Sequence, residues 1–290
     1  MARPTRRVAL AAIAVLLGIS GAAAGALVVS ADPHRGITPT TALPAPRFVD
    51  VTATSGIDHR YEGDPPFEVG GGVAAFDCSG DGRPELYLAG GSRPAALYRN
   101  RSATGGPIAF ERIPSPVTDL SGVNGAYPLD VDGDGQTDLA VLRVGETILL
   151  RGLGGCTFER ANERWGFDAG ANEDTTAFAA TWEGEGGGLP TLAIGRYLAL
   201  DSTGTATFDC AGNLLVRPDP SGARYAPATK LAPGYCTLSA LFSDWSRSGR
   251  RDLRLTNDRH YYLKGSDQLW RVAPGETPRA FTSGDGWVRM

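Results

Sequence analysis

The chain has 290 residues, of which 42% are hydrophobic and 21% charged, a composition that excludes a disordered polypeptide. A net charge of -4 and an isoelectric point near 5.5 give no sign of a basic surface, so a nucleic-acid partner is not expected. The 39 glycines and 20 prolines imply many turns and favour many short strands over long helices.

The first predicted element is an export signal at residues 1–31. Three arginines precede an uncharged run from Val8 to Val29, and the small residues that end this run place a cleavage site before Asp32. The apolar run at 8–29 is also long enough to span a bilayer, so an uncleaved membrane anchor is the alternative. Residues 32–46 are rich in Pro and Thr and are interpreted as a linker. We therefore expect a protein that is secreted or held at the cell envelope.

A repeated pattern fills residues 47–290. Three copies begin at Val73, Gly125 and Ser239, each with a short apolar run, a nine-residue loop headed by Asp, and further apolar runs. A degenerate copy, called the worn copy below, begins at Thr176 and has Thr181 instead of Asp at the leading position. The leading positions are 77, 130, 181 and 244. A period of about 50 residues with four short strands per copy is typical of propeller blades, so an all-β fold of four-stranded antiparallel blades is predicted.

The copies also predict where the last strands lie and how many blades are present. In the last copy, the runs that begin at Asp252, His260 and Gln268 are expected to form the second, third and fourth strands. The next leading Asp would fall beyond Met290, so we expect about four blades of a larger ring.

The loop from Asp130 to Asp138 has the composition of a calcium site. Its crowded carboxylates repel one another unless a cation lies among them, and an irregular shell of oxygen ligands suits Ca²⁺ better than Mg²⁺. An EF-hand is excluded because its twelfth position would be Val141, in an apolar run. A metal-free polar hairpin is the alternative. The predicted ligands are the side chains of Asp130, Asp132, Asp134 and Asp138 and the backbone carbonyl of Gln136.

The other three loops are weaker candidates for a metal site. The second predicted site comprises Asp77, Ser79, Asp81, the carbonyl of Arg83, and Glu85. The last copy offers only two carboxylates, next to three arginines that could replace a metal, and its candidate ligands are Asp244, Ser246, Ser248 and Asp252. The worn copy is the weakest candidate and offers Glu183 and Glu185.

Four cysteines follow the export signal, and an oxidising compartment would allow them to form disulfides. Three pairings are open. Cys210 and Cys236 bracket one loop-rich segment and are the favoured pair. For Cys78 and Cys156 the default expectation is two buried free thiols.

The loops and their repeat resemble the FG-GAP or VCBS repeats of integrin-type β-propellers. Four segments are similar, more specifically, to bacterial relatives of cartilage acidic protein: RFVDVTATSGI from Arg47, ALYRN from Ala96, TTAFAATWEGEGGGLPTLAIGRYL from Thr175, and GYCTLSALFSDWSRSGRRDLRLTNDRHYYL from Gly234. The resemblance implies a seven-bladed propeller with calcium in its hairpin loops, used outside the cell. About four of those seven blades would be present, without the C-terminal ones.

Two functional classes follow from these features. The preferred class is a binding or scaffold module whose calcium-stiffened loops contact an extracellular protein or carbohydrate. The alternative is a calcium-stabilised secreted enzyme, a polysaccharide lyase or hydrolase. No catalytic residue is predicted, because no nucleophile-elbow, zinc or phosphate-binding motif is present. Trp182, Trp245 and Trp270 are assigned to blade cores rather than to a sugar-binding surface.

Overall fold

The computed structural model describes residues 45–184, 188–258 and 265–285. The chain divides into Met1–Val49 and Asp50–Met290, and the strands of the described residues belong to the second part. The predicted export signal and most of the predicted linker lie outside the described residues. Within the described ranges, no helix has the length and apolar character needed to cross a membrane.

Sixteen of the 18 described strands form four antiparallel groups of four, called blades 1 to 4 below, and the other two form a separate hairpin inserted in blade 3. Blade 1 contains β1 (Val73–Phe76), β2 (Glu85–Leu88), β3 (Ala96–Asn100) and β4 (Phe110–Ile113). Blade 2 contains β5 (Val123–Leu129), β6 (Asp138–Gly145), β7 (Ile148–Gly152) and β8 (Phe158–Arg160). Blade 3 contains β9 (Glu173–Thr181) and β10 (Thr191–Arg196), then a hairpin of β11 (Leu198–Leu200) and β12 (Ala206–Cys210), then β13 (Asn213–Val216) and β14 (Thr229–Leu231). Blade 4 contains β15 (Thr237–Ser243), β16 (Asp252–Asn257), β17 (Gln268–Arg271) and β18 (Arg279–Ala280).

Helical structure is sparse in the described residues. One short helix, α1 (Asn162–Trp165), follows β8, and 3₁₀ turns occur at Thr52–Thr54, Phe67–Val69 and Ser283–Asp285. The predicted all-β fold of four-stranded antiparallel blades is confirmed at this level. Blades 2 and 3 are also joined edge to edge, because Val144 and Gly145 of β6 pair with β9.

Successive blades bury their faces against each other. The first cluster joins blades 1 and 2 through residues such as Leu97, Leu139 and Leu150, none more than 1% exposed. Similar clusters join blade 2 to blade 3 and blade 3 to blade 4. Central strands are therefore covered on both faces, which explains why β6 and β10 read as continuous rather than alternating apolar runs.

The strand assignment in blade 4 differs from the prediction. Leu253 of β16 pairs with Trp270, and Trp270 pairs with Ala280, so Gln268–Arg271 is the third strand and Arg279–Ala280 the fourth. The run that begins at His260 is therefore not the third strand, and residues 259–264 lie outside the described part of the chain. Both runs have strand-like composition, and only pairing with β16 separates them.

Two disulfides connect neighbouring blades. Cys210 bonds Cys236, the pair favoured by the sequence, and so ties the hairpin inserted in blade 3 to the start of blade 4. Cys78 bonds Cys156, with 4.8 Å between their Cα atoms, so the expectation of free thiols is wrong. These two cysteines are 78 residues apart and meet only because blade 1 packs against blade 2. Two disulfides are typical of an oxidising compartment.

A buried polar network crosses blades 2 and 3. Asn124 donates its side-chain amide to Asp174 Oδ1 and to the Thr175 carbonyl, both at 3.1 Å. Asp174 Oδ2 accepts the amide of Leu198 at 3.2 Å. Burial raises the pKa of Asp174 to about 6, and these two hydrogen bonds offset only part of that effect.

Candidate metal loops

Each predicted loop connects the first and second strands of one blade. Loop 1 is residues 77–85, loop 2 is 130–138, loop 3 is 181–191 and loop 4 is 244–252. Loop 2 turns sharply at Gly133 and Gly135, whose φ angles are 73° and 82°, a region that disfavours residues with a side chain. These two turns allow the chain to reverse direction, so that Leu129 at one end of the loop pairs with Asp138 at the other.

Asp130 organises loop 2 from its first position. Its Oδ1 accepts the amides of Gly133 at 2.8 Å and Asp134 at 3.2 Å, and its Oδ2 accepts that of Gly135 at 3.0 Å. The loop therefore wraps its backbone amides around the leading carboxylate. Carboxylate oxygens have further lone pairs, so these bonds leave Asp130 able to bind a cation.

Asp138 closes loop 2 and is fully buried. It accepts the amides of Val131 and Gly152, each at 2.7 Å. Its pKa is raised to about 6, chiefly by burial and also by the nearby charges of Asp132 and Asp130, and the two hydrogen bonds act against this rise. An ionised Asp138 is therefore costly unless a cation lies beside it.

Three of the five predicted ligands of loop 2 converge. Carboxylate oxygens of Asp130, Asp132 and Asp138 lie within 4.8 Å of one another. Asp132 Oδ1 is buried and has no hydrogen-bond partner among the described residues. An all-oxygen set with one unused buried oxygen fits a hard cation such as Ca²⁺. Gln136 donates its amide to Asp134 at 2.8 Å, and its carbonyl stays a predicted ligand.

Asp134, the other predicted ligand, binds an arginine. Arg151 on β7 donates Nε to Asp132 Oδ2 at 2.7 Å and Nη2 to Asp134 Oδ2, and its Nη1 lies 3.6 Å from Glu159. The hydrogen bond to Asp132 is the main reason why the pKa of Arg151 is raised. Sequence reasoning did not assign Arg151 to the site, because its 19-residue separation from Asp132 is bridged only by the pairing of β6 with β7.

Loop 1 gathers its predicted ligands less closely. Asp77 accepts the amides of Gly80 and Gly82 at 2.7 Å, and the bond from Gly82 contributes most to lowering its pKa. Asp81 is paired with Arg83, whose side chain also reaches the carbonyl of Ser102. Glu85 is fully buried and accepts the amides of Cys78 at 3.0 Å and Ser79 at 3.2 Å. Glu85 also lies near both sulfurs of the Cys78–Cys156 pair, but a disulfide supplies no thiolate ligand.

Loop 3 is closed by an ion pair. Glu183 accepts Nε of Arg217 at 2.8 Å and the hydroxyl of Thr191 at 2.7 Å. Arg217 also donates to the carbonyls of Ala273 and Glu276, which anchors it to blade 4. Glu185 lies outside the described residues. The arginine network considered for loop 4 is thus found in loop 3.

Loop 4 holds together through neutral donors. Asp244 accepts the amides of Ser248 and Gly249, each at 2.8 Å, and the Ser246 hydroxyl donates to Ser248 at 3.0 Å. Asp252 accepts the indole N–H of Trp245 at 2.9 Å. The carboxylates of this loop are not among the described groups of three close metal-type ligands.

Open clefts lie beside loops 2 and 3. One, of about 580 Å³, is lined by Asp132, Trp165, Leu189, Arg164 and Arg224. Another, of about 490 Å³, is lined by Thr181, Trp182, Glu183, Arg250 and Arg251.

The three tryptophans considered for the core divide between surface and core. Trp182 and Trp245 are 45% and 43% exposed, so their assignment to a core is wrong, whereas Trp270 is buried as expected.

The histidines do not form a cluster in the described part of the chain. His59 Nε2 lies 2.8 Å from the carbonyl oxygen of Ala89. His34 and His260 lie outside the described residues.

Residues 77–141, which span loops 1 and 2, match the FG-GAP-like repeat family. A solved structure of BBS1N in complex with ARL6DN, soaked with lead, is similar with 13% identity and a TM-score of 0.39. The similarity covers 75% of this chain and 56% of that chain, so this protein spans a little over half the length of its structural neighbour. No match was found among curated proteins. Residues 77–141 therefore hold an FG-GAP-like repeat, within a fold of four-stranded antiparallel sheets.

Proposed function

We propose that this chain is an exported β-propeller module, stabilised by calcium, that binds an extracellular carbohydrate or protein and is not an enzyme. The proposal depends on the closeness of Asp130, Asp132 and Asp138, whose carboxylate oxygens lie within 4.8 Å of one another, together with the buried and unpartnered Oδ1 of Asp132. The resemblance to relatives of cartilage acidic protein supports a seven-bladed propeller used outside the cell.

Calcium, when bound, would supply the positive charge that loop 2 lacks. Asp130, Asp132 and Asp138 would hold it, and Asp134 and the carbonyl of Gln136 would complete the shell. The chain's own part is to fix the carboxylates: backbone amides orient Asp130 and Asp138 before any cation arrives. The loop would then stiffen the rim of the blade that borders the first cleft.

Thermal melting with calcium and with a chelator tests this part of the proposal. At a hundredfold excess of calcium over Kd, binding to the folded state alone adds about 2.7 kcal/mol of stability, so the Tm should rise clearly. Asp201 is the control for substitutions of the loop 2 ligands. Like Asp130, it accepts backbone amides, here from Thr203 and Thr205, but it lies in a separate turn. Asp201→Asn should keep the calcium shift. Equal midpoints with calcium and chelator in the intact chain would exclude structural calcium.

The clefts favour an acidic carbohydrate as the ligand. An exposed indole can stack on a sugar ring, and guanidinium groups bind carboxylates well. Trp182 lies in one cleft with Arg250 and Arg251, and a second cleft carries Arg164 and Arg224. These arginines are exposed although the whole chain is acidic. An acidic polysaccharide is therefore the first ligand to test.

Calorimetric titration with polygalacturonate, and with neutral dextran as the reference, tests the binding role. Trp182→Ala should weaken binding of polygalacturonate about tenfold, because loss of one stacked ring costs roughly 1.4 kcal/mol. Val73→Ala is the control, since Val73 is exposed and apolar but lies on β1. Equal binding by the Trp182 variant would contradict the assignment of the cleft. Release of reducing ends or unsaturated uronates would instead show the alternative, a hydrolase or lyase.

A further inference from the structure

Every blade carries an arginine at one equivalent register position. These arginines lie at or just beyond the C-terminal end of the third strand of each blade: Arg99, Arg151, Arg217 and Arg271. The pairs Leu86–Tyr98, Leu139–Leu150, Leu192–Val216 and Leu253–Trp270 define the register of the second and third strands. One residue further along, each arginine stands opposite the last residue of its loop, namely Glu85, Asp138, Thr191 or Asp252.

What each arginine contacts depends on the third residue of its loop. Where that residue is acidic, the arginine binds it: Arg151 to Asp132 at 2.7 Å and Arg217 to Glu183 at 2.8 Å. Loops 1 and 4 have a serine at this position, Ser79 or Ser246.

In those two blades the arginine is directed elsewhere. Arg99 donates to the carbonyl of Gly155 at 2.8 Å, and Arg271 lies 5.1 Å from the centre of the Phe281 ring. The loop acid therefore decides whether the strand arginine becomes part of the loop.

We propose that Arg151 is the resident counterion of loop 2 and that it competes with calcium for Asp132 and Asp134. The inference rests on the calcium binding proposed above. One guanidinium binds Oδ2 of each of two predicted ligands, so a cation bound through their other oxygens lies beside its positive charge, and a cation that takes the Oδ2 atoms displaces it. Arg151 thus lowers the calcium affinity of loop 2 and holds the loop closed when calcium is absent.

Charge and burial make this competition effective in loop 2. Loop 2 has four carboxylates and Arg151 binds two of them, so negative charge remains to attract a cation. The side chains of Arg151, Asp132 and Asp134 are only 21%, 18% and 28% exposed, whereas those of Arg83 and Asp81 in loop 1 are 44% and 33% exposed. Solvent screens the loop 1 pair more strongly, so it should compete less.

Calcium titration of the full chain, after removal of bound metal, tests the proposal. Arg151→Gln should bind calcium about tenfold more tightly than the native chain, because hydrogen bonds to charged groups no longer have to be broken. The same variant should melt earlier than the native chain in chelator. Arg99→Gln is the matched control: it removes the equivalent arginine from blade 1 and should leave the affinity of loop 2 unchanged.

The possible results separate this inference from the function on which it rests. Equal or weaker calcium binding by Arg151→Gln, with clear binding by the native chain, overturns the competition and leaves calcium binding intact. No binding by either protein overturns both. Binding by the variant alone supports the competition. If Arg151→Gln does not fold without calcium, Arg151→Lys decides, because lysine keeps the charge without the planar fork and should tighten binding by a smaller factor.

Discussion

Loops 2 and 3 have the same place in neighbouring blades, and they balance charge in opposite ways. Loop 3 has threonine at both ends, Thr181 and Thr191, and its Glu183 is paired with Arg217. Loop 2 has an acid at each of these three positions and one more, Asp134, against one arginine. Since the two arginines share one register, the loop acids account for the difference. Loop 3 thus pairs its Glu183 with an arginine, whereas loop 2 has more acids than its one arginine can neutralise.

The difference teaches how a repeat can lose a cation site without losing its fold. The arginine of the third strand already lies beside the loop, so a single acid at the third position can be neutralised internally. Loop 3 has kept that acid and replaced the two terminal ones with hydroxyl groups. We therefore expect the stability of loop 2 to depend on calcium and that of loop 3 to be independent of it.

The largest effect is expected from the last loop residue. Asp138→Ala leaves the buried amides of Val131 and Gly152 without an acceptor, which should lower the free energy of unfolding by about 3 kcal/mol. Thr191→Ala, at the equivalent position in loop 3, removes one hydroxyl bond to Glu183 and should cost about 1 kcal/mol. Urea denaturation in the presence of calcium measures both. Similar losses would mean that the two loops are closed by equivalent interactions.

The calcium dependence itself should separate the leading residues. Asp130→Asn should remove most of the calcium-induced increase in stability, about 2.7 kcal/mol at a hundredfold excess over Kd, because one anionic ligand is lost. Thr181→Ala, at the leading position of loop 3, should retain the increase in full. Calorimetric melting of each variant with calcium and with chelator is the measurement. Loss of the increase in the Thr181 variant would mean that calcium binds loop 3 and that its assignment to loop 2 is wrong.

Breaking the ion pair of loop 3 should have a smaller effect that calcium does not change. Glu183→Gln weakens the contact with Arg217, and both of these side chains are mostly buried. The substitution should lower the free energy of unfolding by about 1 kcal/mol with or without calcium. Glu159→Gln is the control, since Glu159 lies 3.6 Å from Arg151 and is 44% exposed. Its effect should stay below about 0.5 kcal/mol. A calcium-dependent loss in the Glu183 variant would indicate a metal in loop 3.

The smallest effect is expected from Asp174, a buried carboxylate that lies outside the four loops. Asp174 has no cationic partner in its described hydrogen bonds, and its pKa is raised to about 6. Its contribution to stability is fully present below pH 3.8 and is lost as the pH rises through about 6. Lowering the pH from 7 to 5 should therefore add about 1 kcal/mol from this group. Chemical denaturation at both pH values should show the gain in the native chain.

Asp174→Asn is the variant that isolates this group, because its side chain does not titrate. The difference in stability between pH 7 and pH 5 should shrink in the variant by the amount that Asp174 contributed. An unchanged pH dependence would place the titration elsewhere in the protein.

The sequence predicted local features well because they are written in neighbouring residues. The nine-residue spacing of acids and glycines located loops 1, 2 and 4, and the FG-GAP-like match over residues 77–141 agrees with the first two. Cys210 and Cys236 could be paired because they flank one segment. The hairpin of β11 and β12 was not predicted, since short turns such as the one after Asp201 occur throughout a glycine-rich chain.

Features that depend on packing could not be read from local pattern. The third strand of blade 4 was misplaced because two adjacent runs were equally strand-like, and only pairing with β16 selects Gln268–Arg271. Trp182 and Trp270 were both expected in a blade core because both are large aromatic residues, yet Trp182 is exposed and Trp270 is buried. Burial is a property of what lies on the opposite face, which the neighbouring residues of the chain do not encode.

By itself, the sequence determined the repeat, the strand-rich class and the positions of the acidic loops, because each of these depends on residues within one turn of chain. Tertiary structure alone decided the bond between Cys78 and Cys156 and the contact of Arg151 with Asp132. Both join residues that are distant in sequence, and both exist because a strand or a blade fixes its register against the next. Register is set by the burial of apolar faces between blades, so packing decides that Arg151 lies beside loop 2, whereas the loop's own residues supply the acids that it meets.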